Sequence, residues 1–240
     1  MPPLTTPLRP SPAVSLHASA HPRPGDVFVY DLSLRIWHWL VSACVLVLIP
    51  SGYFIRSPAA FLVSNPAWFL NLRSAHFLAG HVLAVALVAR AWWVFAGSTH
   101  AKVIYTTKLS DPLLPSDLLW QVKLYLHLTK EPRKLVGQNP LARLAMFSIF
   151  VFTGLFQALT GLALYGLGAG PSSWQSQGFG WVLPLFSSIG AVHSAHHTAM
   201  YVMVFFVVSH INAVFRAEST GTTTVLSTMF SGWRFERPAK

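Results

Sequence analysis

The sequence predicts an all-α membrane protein: a bundle of four transmembrane helices with an amphipathic helix on the cytoplasmic side and both termini cytoplasmic. Three observations carry that expectation. The 240 residues are 53% apolar and only 10% charged, with a mean hydropathy of +0.49, whereas soluble domains have about a quarter of their residues charged. Apolar runs of spanning length recur along the chain. The basic residues are also one-sided: of 17 Lys and Arg, only Arg56 and Arg73 fall between the first and second spans or the third and fourth. The positive-inside rule therefore places the termini and the central loop in the cytoplasm. The net charge of +10 reads as a topology signal, and nucleic acid is not expected as a partner.

Each element follows in order. Residues 1–25 hold seven prolines and no apolar run, so they are expected to form a disordered tail preceding a single membrane domain, residues 26–240. No secretory apolar region precedes the first span, which is expected to direct insertion itself. That span covers about 36–55, with Pro50 expected to bend its far end. Trp68 and Phe69 suit a membrane interface, and the second span covers about 74–95. After a polar loop, Ser116–Lys130 reads as an amphipathic surface helix. Leu118, Val122, Tyr125 and Leu126 form its apolar side, with Asp117, Gln121, Lys123, His127 and Lys130 around the rest. GQNP (Gly137–Pro140) precedes the third span, about 142–165. The following loop contains WVLPLF (Trp181–Phe186), too short to span and expected to lie at the interface or pack on the bundle. The fourth span covers about 193–216, and a short basic tail follows. The single cysteine, Cys44, rules out an internal disulfide or a cysteine metal site and reads as core packing.

The chemistry resides in histidines. The stretch Ala191–Arg216 carries four of the chain's eleven: His193, His196, His197 and His210. Imidazoles inside a membrane are functional by default. A step of 14 residues brings His196 and His210 to within about 40° of each other around the helix and separates them by roughly 21 Å along it. Two imidazoles on one face at two depths suggest two stacked sites, and imidazole is a common axial ligand of haem iron. His76 opens the second span at the outer level of His196. His38 opens the first span at the inner level of His210. Two bis-histidine b-type haems result, with His38, His76, His196 and His210 as ligands to iron. Gly52, 14 residues after His38, is a candidate for haem clearance. Arg35, Arg73 and Arg90 are candidates to pair with haem propionates, with lipid phosphate or topology as the alternative. Gly154 and Gly161 mark a close helix or haem contact. His81 competes with His76 but lies roughly 140° around the helix from it. His193 and His197 form an i, i+4 pair whose simplest role is hydrogen bonding, with a metal as the alternative.

Taken in order, the segments YDLSLRIWHWL, SGYFIRSP, RSAHFLAG, GQNPLARLAMF, TGLALYGLGAGPSSWQ, FGWVLPLF, VHSAHH and VLSTMFSGWR resemble one known family. It is the b-type cytochrome subunit of membrane-bound nickel–iron uptake hydrogenases, within a cytochrome b561-like superfamily, and the resemblance spans about Tyr30 to Phe235. It implies a four-helix protein of the bacterial inner membrane that holds two haems b. In that family electrons pass from the hydrogenase small subunit, with its membrane anchor helix, to ubiquinone or menaquinone in the bilayer. The ligands implied by matching motifs are again His38, His76, His196 and His210. The chain departs from the family pattern at Ala191 and Ala195, where an acid and a tryptophan are usual. It also departs at Gln138, which replaces a histidine, at Glu218, which stands alone where an acidic pair is usual, and at His81. Other readings are the cytochrome of a formate dehydrogenase or thiosulfate reductase, a self-standing b561-type oxidoreductase, and a haem-free membrane anchor.

Overall fold

The computed structural model describes residues 27–96, 114–125, 128–129, 140–220 and 224–235. The expected tail, the polar loop after the second span, most of GQNP, the end of the surface helix and the final basic residues lie outside these.

A short strand β1 (Val27–Phe28) leads into helix α1 (Leu32–Arg56), followed by α2 (Ala60–Val63), α3 (Pro66–Ala96) and α4 (Leu114–Tyr125). Helix α5 (Pro140–Ala145) continues through a π-helical segment, Met146–Val151, into α6 (Phe152–Ala169). Then come α7 (Trp174–Phe179), a 3₁₀ helix (Gly180–Leu185), α8 (Ile189–Thr220), α9 (Leu226–Ser231) and strand β2 (Trp233–Arg234). Four helices are long and apolar enough to cross a membrane, as the sequence predicts. Helix α1 packs on α3, α3 on α6, α6 on α8, and α8 returns to α1, so the bundle closes into a ring.

Local chemistry explains where these helices begin. Asp31 caps α1 by accepting from the Leu34 N–H at 3.0 Å. Pro66 opens α3 at the first helical position, where its missing N–H would have no partner in any case. Helix α3 therefore starts well before the predicted 74: Arg73 ends an apolar run but does not end a helix. At about 1.5 Å per residue, its 31 residues exceed a hydrocarbon core about 30 Å thick. Pro50 sits inside α1, which nonetheless runs on to Arg56.

Two features depart from the sequence pattern. In α4 Gln121 is buried and Val122 exposed, because the helix packs on α5 and its neighbour decides which side is covered. At the other end, β1 and β2 pair antiparallel and fasten the entry of α1 to the chain's last described segment. Gly232 makes this latch. It adopts φ +87°, and its carbonyl accepts from the Val29 and Tyr30 N–H groups. Burial pushes the nearby Tyr30 phenol above its ordinary pKa, with Arg234 opposing. The 3₁₀ segment packs on α6 with Val182 buried and Trp181 and Leu185 exposed. It stays against the bundle, as expected of a run too short to span.

Candidate functional site

The four predicted histidines lie at two levels of the bundle, two at each. His38 near the start of α1 and His210 on α8 have ring centroids 6.4 Å apart. His76 on α3 and His196 on α8 line one cavity of about 710 Å³ at the other end of the bundle, within the range of about 300–1,000 Å³ typical of ligand pockets. The same cavity is lined by Gly52, Gly161, Arg73, His81, His193 and His197.

The walls of this cavity place the rings. A Cβ on Gly52 would sit 3.2 Å from His76 Cε1, and a Cβ on Gly161 would sit 3.2 Å from His196 Cε1. Each glycine is the floor on which one imidazole lies. Immediately before each glycine stands a buried hydroxyl residue. Ser51 Oγ is 2.8 Å from His76 Nδ1, and Thr160 Oγ1 is 2.8 Å from His196 Nδ1. Sequence reasoning finds Gly52 and Gly161 but not these hydroxyls. The available signal is the dipeptide itself, Ser-Gly and Thr-Gly, in apolar helices at the depth of the histidines. Gly154, seven residues before Gly161, instead rests on Leu87 at an ordinary 3.5 Å.

The arginines divide. Arg73 lines the cavity and lies over the Phe77 ring, with its Cζ 5.6 Å from the centroid. Arg56, absent from the sequence-derived set, lines the same cavity. Arg90 is 4% exposed, its guanidinium 5.7 Å from the Trp37 ring centroid. Arg35 donates from Nη1 to the Phe230 carbonyl in the latch. His81 also faces the cavity, but both of its nitrogens are engaged, Nδ1 with the Phe77 carbonyl at 2.7 Å and Nε2 with the Gln175 amide at 3.2 Å. His197 stands edge-on to Tyr201. Among the described residues no group of three or more His, Cys, Asp or Glu is placed to hold a metal ion by itself. Cys44 is buried and free.

Residues 29–232 match the family described as prokaryotic cytochrome b561. The chain belongs to that family. The cytochrome is 39% identical over 211 residues to a protein of Azotobacter vinelandii named "Probable Ni/Fe-hydrogenase B-type cytochrome subunit", covering 87% of this chain and 88% of the relative. A protein of the same name from Cupriavidus necator is 38% identical over 210 residues, 86% of each chain. The "Probable Ni/Fe-hydrogenase 1 B-type cytochrome subunit" of Escherichia coli K12 is 32% identical over 220 residues, covering 89% of this chain and 92% of the relative. Membership and the four apolar helices make it a multi-pass membrane protein and a b-type cytochrome, for which haem b is the implied cofactor.

The residues of both pairs fit such a group. A first-row metal ion lies about 2 Å from an imidazole nitrogen, so two rings on opposite faces of one iron have centroids on the order of 6 Å apart. The 6.4 Å between His38 and His210 agrees. His38 Nδ1 is buried with no hydrogen-bond partner, a state that a neutral ring nitrogen rarely keeps inside a protein. At the other pair, the apolar cavity with two glycine floors and two convergent imidazoles has the shape and donor set for a flat macrocycle.

Proposed function

We propose that this cytochrome is the electron-carrying subunit of a membrane-bound nickel–iron hydrogenase, holding two haems b and passing electrons from the hydrogenase to membrane quinone. One observation carries the reading. Relatives over nearly the whole chain bear that hydrogenase name, and among the described residues His38 meets His210 at one level while His76 and His196 line one cavity at another. His76 and His196 would hold the outer haem, His38 and His210 the inner. When bound, haem b supplies a one-electron iron couple; the protein supplies ligation, dielectric and position.

The chain's own residues supply the rest. Arg56 and Arg73 line the outer cavity, and their charge suits haem carboxylates. The hydrogenase small subunit and its anchor helix would dock at this outer end, since 15 of the 17 basic residues favour the opposite side as cytoplasmic. That orientation puts both termini in the cytoplasm of a bacterial inner-membrane protein, with residues 26–240 as one domain behind the tail 1–25. At the level of His38, a groove of about 600 Å³ between α1 and α3 is lined by Trp37, Leu40, Val85, Arg90 and Trp93. It offers ubiquinone or menaquinone an approach from lipid to the inner haem.

The test is purification of the full chain in mild detergent, with haem counted as pyridine haemochrome and the co-purifying protein identified. Two haems per chain, reduced on adding hydrogen when the hydrogenase is present, are expected. One haem per chain overturns the two-site reading. Two haems that hydrogen leaves oxidised in the presence of the hydrogenase overturn the assignment of the donor.

A further inference from the structure

Ser51 and Thr160 are 2% and 1% exposed, among the most buried polar side chains described. A hydroxyl has one proton to give. The Ser51 proton goes to the Val47 carbonyl, with Oγ 2.6 Å from that oxygen. The Thr160 proton goes to the Phe156 carbonyl, also at 2.6 Å. Each oxygen can then only accept from the imidazole beside it. His76 and His196 must both carry their proton on Nδ1, which leaves the Nε2 lone pair of each ring directed away from its hydroxyl and available to a metal. The histidine tautomer is assigned here from the hydrogen-bond network.

The arrangement is the same two-residue device used twice, Ser51–Gly52 on α1 and Thr160–Gly161 on α6. The hydroxyl holds Nδ1, and the glycine leaves free the space where an added Cβ would sit 3.2 Å from the ring's Cε1. The His38/His210 pair is built differently. There no hydroxyl is hydrogen-bonded to either ring among the described residues, and His210 stacks on Phe206 with centroids 5.8 Å apart.

We propose that Ser51 and Thr160 are positioning residues that fix the tautomer of His76 and His196, strengthen them as axial ligands, and so lower the reduction potential of the outer haem. This rests on the ligation proposed above. An acceptor on Nδ1–H increases the basicity of the opposite nitrogen, and a more basic ligand favours ferric over ferrous iron. The inner pair lacks these hydroxyls. The device therefore acts on one haem only, in the direction that sends an electron from outer to inner.

The experiment is potentiometry of the purified full-length cytochrome, followed by its b-type absorption, for Ser51→Ala, Thr160→Val and the double variant. His76→Ala identifies which signal is the outer one. In the double variant the midpoint of the outer haem should rise, with the inner haem unmoved. Ser51→Thr should restore the wild-type value. An outer midpoint that is unchanged or lowered overturns the proposal. So does equal movement of both haems. If Ser51→Ala sheds its haem, recovery in Ser51→Thr supports positioning by the hydroxyl, and no recovery overturns it. Should His76→Ala retain both haems, the ligation reading itself fails, an outcome separate from these.

Discussion

Gly161→Ala should loosen the outer haem without loosening the fold. The added Cβ would lie 3.2 Å from His196 Cε1, inside the 3.5–4.0 Å or so at which carbon pairs rest. The ring must retreat by a few tenths of an ångström, while the Thr160 hydroxyl at 2.8 Å holds its Nδ1 edge in place. Overpacking of this kind costs about 1–3 kcal/mol, which is about 5- to 150-fold in an equilibrium constant. Gly52→Ala should behave alike, since its Cβ would meet His76 Cε1 at the same 3.2 Å. Replacing glycine by alanine inside a helix favours the helix by up to about 1 kcal/mol, so thermal stability of the chain should hold or rise as haem retention falls. Gly154→Ala is the internal control: same helix, seven residues earlier, with Leu87 at an ordinary 3.5 Å. The assay is transfer of haem to excess apomyoglobin, with outer and inner haems resolved by their absorption. Equal haem loss from the Gly154 and Gly161 variants would refute the reasoning, as would equal loss from both sites in Gly161→Ala.

Three other outcomes follow from the same geometry. His38→Ala and His210→Ala should each remove the inner haem and spare the outer, read as haem content falling from two to one per chain; an unchanged count would remove the 6.4 Å pair from the argument. His81→Phe should keep both haems, because both His81 nitrogens are engaged with Phe77 and Gln175; loss of a haem signal on this change would make His81 a ligand. Gly232→Ala should open the latch, since φ +87° disfavours a side chain and the new Cβ would sit 2.6 Å from the Tyr30 carbonyl oxygen. Left-handed backbone alone costs about 1–2 kcal/mol. The expected result is faster limited proteolysis near residue 30 with haem content intact.

Much of this site is legible in residue spacing because a helix is periodic. A step of 14 residues fixes angle and depth together, so His196 and His210 declare their relation before any packing is known. The partners His38 and His76 are legible because each opens an apolar run, and a span's beginning fixes its depth. What spacing cannot supply is which neighbour a side chain meets. Gly52 reads as clearance for a macrocycle, and in the fold it is the floor beneath the His76 imidazole. Arg35 and Arg90 read as propionate partners, and spacing does not show that Arg35 also donates to the Phe230 carbonyl or that Arg90 lies over Trp37. Ser51 and Thr160 pass unnoticed because a lone hydroxyl in an apolar helix usually bonds back to its own carbonyl four residues earlier. They do that here too, and their second bond is invisible from one helix alone. The latch escapes for another reason: two-residue strands carry no alternation to detect, and their pairing joins opposite ends of the chain.

The space between the two pairs bears on how the proposed function would keep charge movements separate. On α1, Val41, Cys44 and Val45 lie between His38 and Ser51; on α3, Ala79, Leu83, Ala86 and Leu87 lie between His76 and Arg90; on α8, Met203 and Phe206 lie between His196 and His210. These residues form one buried cluster with Phe150. Burying an ion or an unpaired polar group in such a layer is expensive, and the one titratable side chain beside it on α3, His81, lines both the outer cavity and the groove between α1 and α3. Electrons need no polar path and can cross between two cofactors held on either side. On the proposed function, the protons that reduce a quinone near His38 would come from the side where that histidine lies. Electrons moving inward under that function, while protons are taken from the side of His38, would build membrane potential.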